Sequence, residues 1–185
     1  HSDLFAWYFG CSYKKLPKCP QGIDDYPIDR ITKGQTDIPR WRKGGVGGSQ
    51  INVLGTDAFP MSAQMDLLLN LEKTYPKDIK VVTTSAGMQT AMRSGKIAIL
   101  PMMEGSESLK GDISKLDPLY KLGLRCMTFT YVTGPFSDAS DDEPRNNGIT
   151  DAGRDLVRRM NELGIMVDMS HISAKAMSDI LDTTK

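Results

Sequence analysis

The sequence predicts an α/β protein built on a parallel sheet, and three observations predict it. Short apolar runs alternate with segments whose apolar residues recur at helical spacing. The run "KIAILPMM" is apolar almost throughout, as a strand covered on both faces must be. Glycine or proline closes each helical segment except the last, and such alternation is the signature of βαβ units. The 185 residues are enough for a single domain over residues 1–185 with a real core.

Each element follows in order. "HSDLFAW" opens the chain with His1 and Asp3 two residues apart. Residues 9–45 show little periodicity, are rich in Lys, Pro, Asp and Gly, and read as a long loop. "VGGSQINVLG" reads as a buried strand. "MSAQMDLLLNLEKTY" places Met65, Leu68, Leu69 and Leu71 at helical spacing, and Pro76 stops it. "IKVVTT" is a short strand. "SAGMQTAMRSG" is a helix with Ser85 as its N-cap and Gly95 as its stop. After "KIAILPMM" come a short helical piece, "SKLDPLYKLG", and a strand, "LRCMTFTYV". "DAGRDLVRRMNELG" is an amphipathic helix between a Thr150 cap and Gly164. "IMVDMS" is again a buried strand, and "SAKAMSDILDTTK" a final helix.

Composition and motifs exclude several functions. Lys and Arg number 23, as do Asp and Glu, so charge argues for neither nucleic acid nor an anionic membrane. No apolar run approaches the roughly 18–20 residues of a membrane helix. There is no G-x-G-x-x-G after a strand, no Walker-type loop and no G-x-S-x-G elbow. "GGVGG" precedes a strand rather than a helix, which points to close backbone packing. The cysteines are Cys11, Cys19 and Cys126. A local Cys11–Cys19 disulfide and isolated thiols both stay open, and an odd count fixes no compartment.

Chemistry concentrates at predicted strand ends. The two histidines are His1 and His171. Residues i and i+2 of a strand share a face, so His1 and Asp3 present an imidazole beside a carboxylate, a donor pair that suits a transition metal. Glu104 directly follows an apolar strand, where a carboxylate is costly unless paired or metal-bound. His171 follows "IMVDMS" in the same way, and Asp168 three residues earlier either orients it or caps a neighbouring loop. "D-M-S-H" is no catalytic triad, because consecutive side chains on a strand point to opposite faces. In a barrel, all these strand ends converge on one mouth, and one shared carboxylate can hold two ions about 3.5–4 Å apart.

The pattern resembles the membrane (renal) dipeptidase family of amidohydrolase-like metallopeptidases. "HSDLFAW" is similar to the family's first metal motif, "VGGSQINV" to its second strand, and "SGKIAILPMMEGSESL" to the strand and turn bearing its glutamate. "RCMTFTY" resembles the fourth strand, and "NNGITDAGRDLVRRMNELGIMVDMSHIS" the fifth unit. The resemblance implies a (β/α)8 barrel, of which this chain supplies roughly the N-terminal five strands. It implies two zinc ions: His1, Asp3 and Glu104 hold one, Glu104 and His171 the other, with Glu104 bridging. It implies hydrolysis of dipeptide amide bonds, including those with a D-configured C-terminal residue, by a hydroxide that bridges the metals. A homodimer is also in the family's habit.

Two departures qualify the resemblance. The remaining zinc histidine, the substrate-binding arginine and the catalytic aspartate of the family fall after residue 185. The 185 residues are therefore expected to need that C-terminal part to fold. Tyr131 stands where the family has a histidine near the oxyanion, so Tyr131 is the expected substrate or oxyanion contact. That exchange and the loop motivate an alternative: a non-hydrolytic relative with a binding or biosynthetic role.

Overall fold

The computed structural model describes residues 1–5, 23–53, 61–140 and 146–184. Cys11, Cys19 and most of the loop's first half lie outside the described residues. The chain divides into two compact units, His1–Pro101 and Met102–Lys185.

In the first unit the strands are β1 (Gly48–Asn52), β2 (Ile79–Val81) and the first half of β3 (Ile97–Glu104). β2 runs parallel to β3, with Ile79, Lys80 and Val81 opposite Ile97, Ala98 and Ile99. β1 is hydrogen-bonded to β3 as well. The glycines before β1 do pack closely: a Cβ on Gly48 would meet the Ala98 carbonyl oxygen at 3.1 Å. The opening segment joins β1 through a parallel bridge between Ser2 and Ile51. This is the strand-end placement expected for "HSD".

Three helices complete the first unit: α1 (Ile38–Lys43), α2 (Met61–Thr74) and α3 (Ser85–Arg93). α2 follows its sequence pattern. Met65, Leu68 and Leu71 are buried, whereas Leu69 is 42% exposed. Glu72 on α2 accepts the Val81 N–H at 2.8 Å, which ties the helix to β2.

Two details differ from expectation here. The segment read as a continuous loop contains α1. Asp37, fully buried, caps it by accepting the Arg40 N–H at 2.9 Å, and its other oxygen takes the Thr32 N–H at 3.0 Å. Six residues are too few to show a period, so this helix rests on its cap and on buried Ile38 and Trp41. On α3 the N-cap is Thr84, not Ser85. Thr84 is extended, and its hydroxyl accepts the Gly87 N–H at 3.0 Å.

The second unit holds the rest of β3 with β4 (Cys126–Thr128) and β5 (Met166–Asp168), all parallel. It also holds α4 (Leu116–Leu122), α5 (Asp151–Leu163) and α6 (Ala174–Thr183). β3 is buried at every position before Glu104, so its uniform apolarity reports cover on both faces. α5 begins at a Thr150 cap and ends at left-handed Gly164, as its sequence predicts. α5 packs against β5, α4 and α6.

β4 is shorter than "LRCMTFTYV" suggests. β5 is not the buried strand expected, since Met166 is 50% exposed. No helix of the described residues is long and apolar enough to cross a membrane.

Candidate functional site

In the first unit, the parallel bridge at Ser2 fixes the backbone between His1 and Asp3. Ser2 donates its N–H to Gln50 at 2.8 Å and accepts from Asn52 at 3.1 Å. Its hydroxyl pairs with that of Thr36 at 2.9 Å. The flanking side chains therefore emerge together: His1 Nε2 lies 3.4 Å from Asp3 Oδ1. The Asn52 side-chain amide donates to the same carboxylate oxygen at 3.3 Å. Sequence reading missed Asn52, although its place one residue past Ile51 on the paired strand is the signal that would find it.

In the second unit, register sets the site. Glu104, Thr128 and Asp168 stand opposite one another at the C-terminal ends of β3, β4 and β5. This is the end where α/β barrels assemble their active sites. His171 follows three residues after β5, and its Nε2 lies 3.4 Å from Glu104 Oε1. Glu104 is the more buried of the two side chains.

His171 sits in the left-handed region with φ 66°, a conformation uncommon for a residue with a Cβ and often found at functional positions. Neighbouring backbone holds it there. Ser140 donates its N–H to the His171 carbonyl at 2.7 Å, and Ala139 pairs with Ile172. The Tyr131 ring packs edge-on to the imidazole, centroids 4.9 Å apart. Tyr131 is 49% exposed, so this contact leaves much of the residue open to solvent.

Asp168 does not reach the imidazole by any of its hydrogen bonds. One oxygen accepts the Thr128 hydroxyl at 3.0 Å. The other accepts the Ser170 N–H at 2.9 Å and hydroxyl at 2.7 Å. Residues 169–171 are thus a turn folded over Asp168, not a continued strand, and Asp168 acts on the loop that carries His171. Burial pushes the Asp168 carboxyl up, but the Ser170 and Thr128 hydrogen bonds outweigh it and hold it below the usual carboxylate range.

The sign for stability follows. A depressed native pKa stabilises above the unfolded value of about 3.9, and the gain is lost as pH falls through the native value. Asp168→Asn should cost about 1–2 kcal/mol at neutral pH, and the gap to wild type should close in acid. Urea unfolding from about pH 2 to 7 measures both curves; a gap that stays constant or widens in acid would refute the assignment.

The two donor pairs suit a divalent metal. A tetrahedral zinc with ligands at about 2.0–2.2 Å holds neighbouring donors about 3.4 Å apart. That is the separation found in both pairs. A direct charge-assisted hydrogen bond would draw the atoms to about 2.7–2.9 Å.

Comparison with known proteins adds an independent line. A family model described as "Membrane dipeptidase (Peptidase family M19)" matches residues 11–185. The chain is 34% identical over 123 residues to Dipeptidase tcpJ of Claviceps purpurea (strain 20.1), covering 65% of this chain and 29% of that protein. It is 31% identical over 172 residues to an uncharacterised dipeptidase of Schizosaccharomyces pombe (strain 972 / ATCC 24843), covering 82% and 42%. The chain thus spans less than half the length of either relative.

Among solved structures, the probable dipeptidase PvdM from Pseudomonas aeruginosa matches with a TM-score of 0.75 at 23% identity, covering 85% of this chain and 45% of that one. A metallo peptidase from Rhodobacter sphaeroides, liganded with a phosphinate mimic of the dipeptide L-Ala-D-Ala, matches with a TM-score of 0.69 at 24% identity, covering 88% and 59%. These likenesses bear out the fold class: α/β, part of a TIM-type barrel.

Proposed function

Because the chain belongs to the membrane dipeptidase family, we propose that its protein is a zinc-dependent dipeptidase. His1 and Asp3 are metal ligands from the first unit, and Glu104 and His171 from the second. The observation that carries this reading is the Glu104–His171 pair: a carboxylate and an imidazole at strand C-terminal ends, 3.4 Å apart. Two bound zinc ions would supply the Lewis acidity that polarises an amide carbonyl and lowers the pKa of an attacking water.

The chain's own residues prepare that chemistry. Glu104 brings its charge to the end of a buried strand. The turn over Asp168 and the backbone bond from Ser140 fix His171. Tyr131 offers a hydroxyl donor to an oxyanion or to the substrate. The substrate is a dipeptide, and the phosphinate L-Ala-D-Ala mimic held by the Rhodobacter sphaeroides relative supports a D-configured C-terminal residue.

The test is zinc content and hydrolysis of L-Ala-L-Ala and L-Ala-D-Ala by the full-length protein. The expected result is two equivalents of zinc, with activity removed by a chelator and restored by zinc. A metal-free protein with intact hydrolysis overturns it. Tyr131 favours one second reading, a non-hydrolytic relative, for which the same assay would give bound zinc and no hydrolysis of either dipeptide.

A further inference from the structure

Glu107 is the acidic residue nearest to Glu104 in sequence, and the site as described so far gives it no role. It begins a single 3-10 turn (Glu107–Leu109) after β3. Its carboxylate nonetheless makes the densest set of hydrogen bonds around Tyr131. One oxygen, Oε1, accepts the Tyr131 N–H at 2.8 Å and the Val132 N–H at 3.0 Å, and the Thr130 hydroxyl lies 3.0 Å from it. The Thr130 hydroxyl also lies 2.5 Å from the Val132 carbonyl oxygen, its shorter contact, so the clamp rests on the two backbone N–H groups, and each bond to a charged acceptor is stronger than a neutral one.

The neighbouring chain is shaped to admit the clamp. Gly105 has φ 96°, and a Cβ there would fall 1.9 Å from the other carboxylate oxygen, Oε2, and 3.2 Å from the Tyr131 Cβ. Glu107 therefore occupies space that any side chain at position 105 would take. Ser106 donates its hydroxyl to the Phe129 carbonyl at 2.6 Å, and Gly105 its N–H to the Thr128 carbonyl at 3.1 Å. Residues 105, 106 and 107 are thus each bonded to the segment that ends and follows β4.

What the clamp holds is Tyr131. The residue is about half exposed, with His171 as its one aromatic neighbour among the described residues. A residue so exposed cannot be fixed by burial, so its backbone must be. We propose that Glu107 is a positioning residue: its carboxylate fixes the turn of residues 130–132 and thereby sets the Tyr131 ring against His171. This rests on the reading that His171 is a metal ligand and Tyr131 a substrate contact. Glu107 itself touches neither metal nor substrate.

The experiment uses the full-length protein and two readouts. In Glu107→Ala, native-state hydrogen exchange at the Tyr131 and Val132 amides should rise about tenfold or more, with α5 unchanged. Glu107→Gln keeps a carbonyl acceptor and should restore most of the protection. Zinc content should stay at the wild-type level. For hydrolysis, Glu107→Ala should lower kcat/KM about tenfold in the wild-type background, and less than about twofold in the Tyr131→Ala background. Unchanged exchange at 131–132, an equal rise in α5, loss of zinc, or additive losses in kcat/KM would each overturn the proposal. If the wild-type protein hydrolyses no dipeptide, the functional reading fails, and the exchange arm still decides the clamp.

Discussion

Glu104→Gln should abolish dipeptide hydrolysis in the full-length protein while leaving its fold intact. The substitution keeps the shape of the side chain and removes its charge. At a half-buried strand end, the amide oxygen is a far poorer ligand than a carboxylate for a divalent cation. The Lewis-acid contribution to such a reaction is several kcal/mol, and each 1.4 kcal/mol is tenfold in rate. A loss of about 10³-fold or more in kcat/KM is therefore expected, with a matching fall in bound zinc by elemental analysis. The fold should be spared because Glu104 closes β3 through backbone pairing with Thr128, which the amide does not disturb. Circular dichroism and urea unfolding of the metal-free proteins should agree within about 1 kcal/mol. Retained hydrolysis in a well-folded variant would remove Glu104 from the site. Retained zinc with lost hydrolysis would keep the role in chemistry but not in metal binding.

The parts of this architecture that the sequence makes legible are those where one local rule dominates. β3 reads as a strand because every residue before Glu104 is buried, so apolarity is required at all of them. α5 reads as a helix with its ends because Thr150 and Gly164 carry capping chemistry in their own side chain or conformation. The strand-end position of Glu104 follows from β3 itself.

The illegible parts depend on partners distant in sequence. α1 is invisible because its cap, Asp37, is held by Thr32 and Arg40 and not by a period. For Asp168 the sequence leaves orienting His171 and capping a loop equally open; the Ser170 bonds and the Thr128 hydroxyl, 40 residues away, favour the loop. Nothing in "MEGSESL" distinguishes Glu107 from a solvated loop acid. Its function is visible only once β4 delivers the Tyr131 and Val132 amides to it. Choosing Ser85 over Thr84 as a cap is a one-residue error of another kind. Both hydroxyls are competent, and only backbone conformation separates them.

Gly153→Ala should destabilise the protein, against the usual rule for helices. Alanine in place of glycine inside a helix ordinarily gains about 1 kcal/mol, because the unfolded chain loses freedom and the helix gains propensity. Gly153 lies in the first turn of α5, where its N–H is already taken by the Thr150 hydroxyl at 3.0 Å. A Cβ here would stand 2.2 Å from the Phe136 carbonyl oxygen and 3.1 Å from the Ile149 Cβ. That carbonyl cannot retreat cheaply. It accepts the Thr150 N–H at 3.0 Å, and Phe136 itself is fully buried. Relief would break the cap or shift a core aromatic, and overpacking of this kind costs about 1–3 kcal/mol or more. Strain at a 2.2 Å contact to backbone belongs at the upper end, so it exceeds the propensity gain. The expected net is a loss of about 2 kcal/mol, read as a lower urea midpoint with an unchanged slope. A stabilised variant would mean that the close approach of α5 to Phe136 is wrong, and with it the docking of the helix that precedes β5 and His171.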